Sequence, residues 1–224
     1  LNVLRVKGPN YPLVYKNVDL NNNFKQKDKF KIGLLNTNKW IKTKKFVTNE
    51  INKFASKIDS IKNFNVEEVE IPKSLQNPHV IHSTIYDKSV GYYFIREKKE
   101  INKISNSMQE IIKRSEKITT NSYILALSEQ EKYIDSINKI IQKYDFLIAP
   151  STSSSAPDRG VDEMDDTSLI WTLSHIPAIS IPAFVDQKKL PFGLQVFSKK
   201  WSDFHLINLI EKLIKLEILP EKIL

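Results

Sequence analysis

The chain has 224 residues and a formal net charge of +8 at pH 7, with 41% hydrophobic and 27% charged residues. Because it contains no cysteine, disulfide bonds and thiolate metal sites are excluded. No apolar run approaches the roughly 20 residues that a membrane-spanning helix needs. The sequence therefore predicts a soluble protein with no membrane partner, and the cytoplasm is its default location.

The positive charge is spread along the chain rather than gathered in one patch. The pairs Lys98–Lys99, Lys188–Lys189 and Lys199–Lys200 each have an acidic residue close by. A clustered basic patch is what indicates nucleic-acid binding. We therefore interpret the charge as solvated surface and expect no nucleic-acid partner. A basic nucleic-acid-binding module remains a rival hypothesis, and it predicts an affinity that falls steeply with salt.

A strand–helix–strand unit is predicted near the start of the chain. Leu1 to Leu20 contains turn signals and is interpreted as a connecting segment, and a first residue other than methionine indicates a processed or truncated N-terminus. Lys31 to Leu35 predicts a buried strand, and Glu68 to Ile71, ending at Pro72, predicts a second. Between them a helix is predicted, with Thr48 as its cap. Its apolar face comprises Val47, Ile51, Phe54 and Ile58. This order predicts a βαβ unit with a right-handed crossover.

Two long helices are predicted after this unit. The face of the first is marked by Ile101, Ile104, Met108, Ile111 and Ser115. The second runs from about Ser122 to Tyr144, and its face is marked by Ile134, Ile137, Ile141 and Tyr144. Ahead of them, His79 and His82 have the spacing of two metal ligands on one helix face, but Pro78 predicts a loop there. We therefore expect no metal site.

The last third of the chain predicts short strands separated by loops and helices. Phe146 to Ala149 is an apolar strand stopped by Pro150, and Ser151 to Asp166 is small and polar, which is typical of a loop. The next predicted elements are a short helix over 167–173 and strands over 178–181 and 192–197. A final helix is predicted to be capped by Ser202 or Asp203, with Leu206, Ile210 and Leu213 facing the core.

Three residues of this region have predicted structural roles. Pro182 is expected to close the strand over 178–181, since proline cannot donate a ladder hydrogen bond. Gly193, inside a strand, is expected to permit a close backbone approach or a bulge. Gln195 is expected to satisfy a buried backbone group with its amide.

Three stretches of this region, in this order and spacing, together carry a family resemblance. They are Tyr144–Ser151 (YDFLIAPS), Trp171–Pro182 (WTLSHIPAISIP) and Leu190–Val196 (LPFGLQV). They resemble the amidase signature family. Fainter similarity extends back to Lys31–Leu35 and to Tyr123 with Ala126. The resemblance implies an α/β fold with a mixed β-sheet flanked by helices, the C-terminal portion of the amidase signature fold, as one domain over residues 1–224.

The family's catalytic residues have no counterpart in this chain. Members of the family are similar in using a nucleophilic serine near a Gly-Gly-Ser-Ser-Gly stretch, a second serine on a cis peptide and a lysine base. None of the five glycines here adjoins another glycine or a Ser-Ser pair. The serine-rich run Ser151–Ser155 has neither a glycine that would expose a nucleophile nor a lysine nearby in sequence. We expect no catalytic residue and no cofactor in this chain, which alone should be inactive.

The resemblance implies instead that this chain borders a substrate pocket. The candidate substrate-binding residues are Ser151, Thr152, Asp158, Asp165, Trp171 and Tyr123. For Trp171 and Tyr123, core packing is the favoured interpretation over substrate contact. Asp165 matches an acid that binds the glutamine amino group in tRNA-dependent amidotransferases, but the partner arginine of those proteins would fall near Ile111. Asp165 could also cap the following helix.

Two functional hypotheses follow. The first is the C-terminal portion of a serine amidohydrolase that cleaves carbon–nitrogen amide bonds through an acyl-enzyme. Its partners are a small amide substrate and the missing N-terminal half of the same domain. The alternative is a non-catalytic amidase-like binding protein. A Gly-Gly-Ser-Ser-Gly stretch encoded upstream would distinguish the two.

Overall fold

A computed structural model describes residues 29–36, 42–161 and 168–219. One five-stranded sheet organises them, with the strand order β2-β1-β3-β5-β4. The strands are β1 (Phe30–Leu35), β2 (Phe64–Val69), β3 (Phe146–Pro150), β4 (Ala178–Val185) and β5 (Pro191–Phe197). Strand β1 pairs in parallel with β2 and β3, whereas β5 is antiparallel to β3 and β4. The predicted mixed α/β sheet is confirmed.

Helices cover both faces of this sheet. They are α1 (Lys45–Asp59), α2 (His79–Tyr93), α3 (Asn106–Lys117), α4 (Thr120–Ile141), α5 (Leu169–Ser174) and α6 (Asp203–Lys215), with short 3₁₀ turns at Lys73–Leu75 and Glu97–Lys103. Alternate residues of β3 enter two apolar layers: Phe146 and Ile148 pack with α1 and α6, and Leu147 and Ala149 with α4 and α5. Burial on both faces explains why β3 is continuously apolar.

The strand–helix–strand unit forms as predicted, with two corrections at its boundaries. Helix α1 begins at Lys45, so Thr48 lies inside the helix and is not its cap, and no side chain caps this end. Strand β2 begins at Phe64, four residues before the predicted strand, because Phe64 stacks on Phe30 at 5.4 Å between ring centroids. Ile71 lies beyond the strand and is buried in the opposite apolar layer.

The prediction of a loop at Pro78 was wrong. Pro78 immediately precedes α2, which begins at His79. Proline is well tolerated at a helix start because the first backbone N–H groups have no partner within the helix. The ring of His82 stacks on Tyr86 at 5.6 Å. Within the described ranges, no group of three His, Cys, Asp or Glu side chains is placed to hold a metal ion.

The first predicted long helix is interrupted. Ile104 is extended, with φ −103° and ψ 146°. A new helix, α3, then starts because the Ser105 hydroxyl accepts a hydrogen bond from the Met108 N–H at 3.4 Å. The second predicted helix is confirmed as α4, with Ile137 and Ile141 buried. No helix in the described ranges combines the length and apolar character that crossing a bilayer requires.

Helices α2 and α3 pack closely through a glycine and an ion pair. A Cβ atom added at Gly91 would lie 2.1 Å from the Ser115 Oγ, so no larger residue fits without movement. Arg114 Nε and Nη2 donate to both carboxylate oxygens of Asp87, at 2.7 and 3.1 Å. Because Asp87 is only 4% exposed, this two-pronged pairing is what makes its buried charge tolerable.

The predicted end of β4 at Pro182 was wrong. The strand continues to Val185, with a register shift between Ile181 and Phe184. Proline is tolerated there because β4 is an edge strand and Pro182 lies within the irregularity. Helix α6 begins at Asp203 as predicted, although Ser202 makes no side-chain cap, and its buried residues are Leu206, Leu209 and Leu213.

Candidate substrate-facing site

One end of the sheet gathers the loop after β3 and the turn between β4 and β5. The loop begins at Ser151, where the chain leaves the carboxyl end of β3. Because β5 is antiparallel to β3, its first residues lie at this same end, together with the turn that joins it to β4. Backbone exits from several strands therefore converge here, which is where α/β sheets commonly place their binding residues.

Ser151 is held against β5 by backbone contact. Its N–H donates to the Gly193 carbonyl oxygen at 2.9 Å. A Cβ atom at Gly193 would lie 2.3 Å from the Ser151 Oγ and 2.9 Å from the Ile181 carbonyl oxygen. The close approach predicted for Gly193 is therefore confirmed, and Ser151 is half-buried as a result.

The next residues join the loop to α1. Ser153 is buried, and its carbonyl oxygen accepts a hydrogen bond from the Lys44 N–H at 2.8 Å. Thr152 is exposed, and its hydroxyl donates to the Ser154 carbonyl oxygen at 2.6 Å. The loop thus presents Thr152 to solvent while Ser153 fixes it to the start of the helix.

Asp186, which is not among the residues predicted from the sequence, anchors the far side of the loop. Its carboxylate accepts from the Ser155 hydroxyl at 2.7 Å and from the Lys188 and Leu190 N–H groups at 2.8 Å each. The pKa of Asp186 is lowered, chiefly because the Ser155 hydroxyl donates to it and secondly because the Leu190 N–H does. An aspartate at the start of a turn between two strands was the available signal.

Replacing Ser155 by alanine should raise the pKa of Asp186 toward its ordinary value of 3.8. Because the folded-state pKa is lowered, this carboxylate stabilises the fold above that ordinary value, and the contribution is lost as pH falls through the lowered one. The measurement is an NMR titration of the Asp186 side-chain carbon. Ser154→Ala, in the same loop, is the control and should leave the titration midpoint of Asp186 unchanged. If Ser155→Ala also left that midpoint unchanged, the hydrogen bond from Ser155 would not be what stabilises the Asp186 carboxylate.

The other predicted binding residues are dispersed. Asp158 is exposed in the same loop, and Tyr123 is half-buried in the first turn of α4. Asp165 lies outside the described residues. Trp171 is only 2% exposed and packs on Phe197 with 4.2 Å between ring centroids. The structure thus brings Ser151 and Thr152 together and does not bring Trp171 to them.

Trp171 lies toward the other end of the sheet. It belongs to α5, which ends three residues before β4 begins at Ala178. Ala178 pairs with Phe197, the last residue of β5. Ser151 instead bonds to Gly193, which lies near the first residue of β5. Within the described part of the chain, Trp171 Nε1 and Gln195 Oε1 are buried without a hydrogen-bond partner. Gln195 Oε1 therefore satisfies no backbone group.

Comparison with known proteins identifies the family of this chain. The family model named Amidase matches residues 7–207. The chain belongs to the amidase family. Its relatives include a glutamyl-tRNA(Gln) amidotransferase subunit from Sulfolobus acidocaldarius, 34% identical over 104 residues that make up 42% of this chain and 22% of that protein. The fatty acid amide hydrolase of Medicago truncatula is 25% identical over 127 residues, 50% of this chain and 21% of that protein.

Two solved structures share the fold of this chain. One described as an amidase has a TM-score of 0.73 at 16% identity, over 83% of this chain and 45% of that one. The 6-aminohexanoate cyclic dimer hydrolase has a TM-score of 0.69 at 16% identity, over 88% of this chain and 46% of that one. This amidase-family chain therefore spans less than half the length of these structures, and its matched stretches cover about a fifth of the length of the two curated relatives named above.

Proposed function

We propose that this chain is the C-terminal portion of a serine amidohydrolase that cleaves carbon–nitrogen amide bonds of a small substrate through an acyl-enzyme. The observation that carries the proposal is the family match over residues 7–207, in a chain that contains no Gly-Gly-Ser-Ser-Gly stretch. The nucleophile, the second serine and the lysine base would come from the N-terminal half of the domain. This chain would contribute five strands and a wall of the substrate pocket.

The reaction has two stages. The base takes the serine proton as the serine oxygen adds to the amide carbonyl carbon. The carbon–nitrogen bond then breaks, and the amine leaves with that proton. Water then hydrolyses the resulting ester and restores the serine. The part proposed for this chain is to position the substrate, with Ser151 and Thr152 on the loop fixed by Gly193, Lys44 and Asp186. Asp158, Asp165 and Tyr123 are the further proposed wall residues, whereas Trp171, also predicted from the sequence, is buried against Phe197 in the core.

The two edges of the sheet favour β4 as the place where the other half joins. At the β2 edge, Asp59 Oδ1 accepts from the Val66 N–H at 2.8 Å, and the strand carries Glu67 and Glu68. Charged residues and occupied N–H groups protect an edge against pairing with another strand. Strand β4 has the sequence AISIPAFV, with no charged residue, and its Val185 is 47% exposed. An uncharged, apolar edge is suited to receive a further strand, and Pro182 with the adjacent register shift would interrupt such pairing only locally.

The test begins with the denaturing intact mass of the native protein. A larger polypeptide, or a second one carrying Gly-Gly-Ser-Ser-Gly, is expected. The complete protein should then hydrolyse a small amide and be labelled by a serine-directed acylating probe, whereas the 224-residue chain alone should do neither. Alanine at the first serine of that stretch should abolish labelling, and Ser154→Ala in this chain should not. A complete protein that neither hydrolyses amides nor binds the probe would overturn the proposal.

A second candidate function is a non-catalytic amidase-like protein that binds a partner through the surface the other half would cover. The absence of the catalytic stretch from all 224 residues favours it. A single native species of 26.0 kDa without probe labelling is the result that it predicts.

A further inference from the structure

Helix α3 is attached to the rest of the fold chiefly through α2. Of the described helices and strands, α2 is the one against which α3 packs extensively. The buried residues among the twelve of α3 are Ile112 and Ser115. Isolated helices shorter than about 12–15 residues are only marginally stable in water. The contact with α2 therefore determines whether α3 is folded.

Helix α2 is held in place by contacts that do not involve α3. Its Ile81 and Ile85 pack against the apolar layer that contains Leu147 of β3. Just before its first turn, the Leu75 carbonyl oxygen accepts a hydrogen bond from the Tyr133 hydroxyl of α4 at 2.7 Å. Because these contacts join α2 to the sheet and to α4, α2 can keep its position when α3 is absent from it.

The contact between α3 and α2 depends on one buried ion pair. Little apolar surface is buried by these two helices, since the buried apolar residue of α2 is Val90 and that of α3 is Ile112. The buried Asp87 carboxylate accepts from both Arg114 nitrogens described above. Breaking a buried pair is strongly destabilising, because it leaves a charge without compensation. The Asp87–Arg114 pair is therefore the main contact that holds α3 on α2.

Both ends of α3 adjoin extended backbone. Ile104 before it has φ −103° and ψ 146°, and Ile118 after it has φ −83° and ψ 113°. The next helix, α4, has a cap of its own, since the Thr119 hydroxyl accepts a hydrogen bond from the Ser122 N–H at 3.1 Å. Residues at the ends of an element absorb the φ and ψ changes when a segment moves. Helix α3 therefore has a hinge position on each side, and α4 does not need α3 in order to start.

We propose that α3 is a flap that leaves α2 as a unit while α2, α4 and the sheet stay folded, and that the Asp87–Arg114 pair keeps it closed. Opening carries Arg114, whose side chain is already 54% exposed, into water. Asp87, only 4% exposed in the closed form, becomes accessible together with the α2 surface at Gly91. Segments with few buried apolar contacts are the ones that open locally. The proposal does not depend on amide hydrolysis.

The test is amide hydrogen exchange of the 224-residue chain, followed by NMR at low urea concentrations. The hydrogen-bonded amides of α3 should share one opening, which costs less free energy and depends less on urea than the opening of β3 and β5, because it exposes little surface. Asp87→Asn should speed the exchange of α3 about thirtyfold or more, while both strands stay far better protected. Glu116→Gln removes the acid of an exposed pair with Lys98 and, as the control, should speed it about threefold at most.

Ile112→Cys provides a second route that leaves the ion pair intact. The chain has no cysteine, so the new thiol is the only one. Ile137→Cys in α4 is the matched control, because both isoleucines lie in helices and are 1% exposed. A thiol reagent should label position 112 about tenfold faster than position 137 or more, since the flap opens without the rest of the fold. Equal labelling rates, or exchange of the α3 amides only together with those of β3 and β5, would overturn the proposal.

Discussion

Replacing Trp171 by alanine should lower the free energy of unfolding by about 3–5 kcal/mol, the usual range for removing a buried aromatic side chain. Trp171 is the largest of the fully buried side chains among the described residues, and it packs on Phe197 in the layer between α5 and the sheet. The loss combines the transfer of apolar surface with a cavity that a rigid sheet cannot close. Urea denaturation of the purified chain measures it.

Two further variants separate packing from ligand binding at this position. Trp171→Phe should lower the free energy of unfolding much less than Trp171→Ala does. Phenylalanine keeps an aromatic ring in the core and removes an Nε1 donor that has no partner among the described residues. Tyr123→Ala, at a half-buried position, should also cost less. If Trp171→Ala left stability unchanged and instead raised the KM of the proposed complete amidohydrolase, Trp171 would be a pocket residue and not part of the core.

Much of the sheet could be predicted because its signals are local. Strand β3 is five buried residues between a charged turn and a loop, and β5 follows a pair of lysines and a leucine. Helix α1 shows a clear apolar stripe at helical spacing. In these elements the residues that decide the structure are neighbours in sequence.

Helix α2 could not be predicted because distant contacts determine its burial. Its buried residues are Asp87 and Val90, so it has no apolar stripe. Asp87 is buried because Arg114 reaches it from α3, and Gly91 is required because Ser115 lies against it. These partners are more than twenty residues away. Pro78 misled the prediction since proline is compatible with both a loop and a helix start.

The candidate sites divide in the same way. The loop after β3 was predicted from its small polar residues and from the family resemblance. Its anchor on Asp186 depends on β5 returning antiparallel to β3. Strand order is set by packing of the whole chain, so the aspartate signals a turn locally, but its contact with the loop has no local signature. The same holds for Pro182, whose tolerance in β4 follows from an edge position.

Replacing Gly193 by alanine should destabilise the fold by about 1–3 kcal/mol, the usual cost of overpacking a filled site. The added Cβ would meet the Ser151 Oγ at 2.3 Å and the Ile181 carbonyl oxygen at 2.9 Å. The serine hydroxyl can rotate away, but the carbonyl belongs to a strand paired with β5 and cannot move without disturbing the sheet. Thermal and urea unfolding measure the loss.

A second substitution tests whether Ser151 causes part of that cost. Ser151→Gly removes both serine atoms near the new methyl group, so Gly193→Ala with Ser151→Gly should be less destabilised than the sum of the single variants, by about 0.5 kcal/mol or more. Ser154→Gly adds the same backbone freedom in the same loop and should combine additively with Gly193→Ala. Equal coupling for the two serines would mean that loop flexibility, not the contact, explains the rescue. Coupling confined to Ser151 would establish that β5 holds this loop in place through direct contact at a position where a side chain is not accommodated.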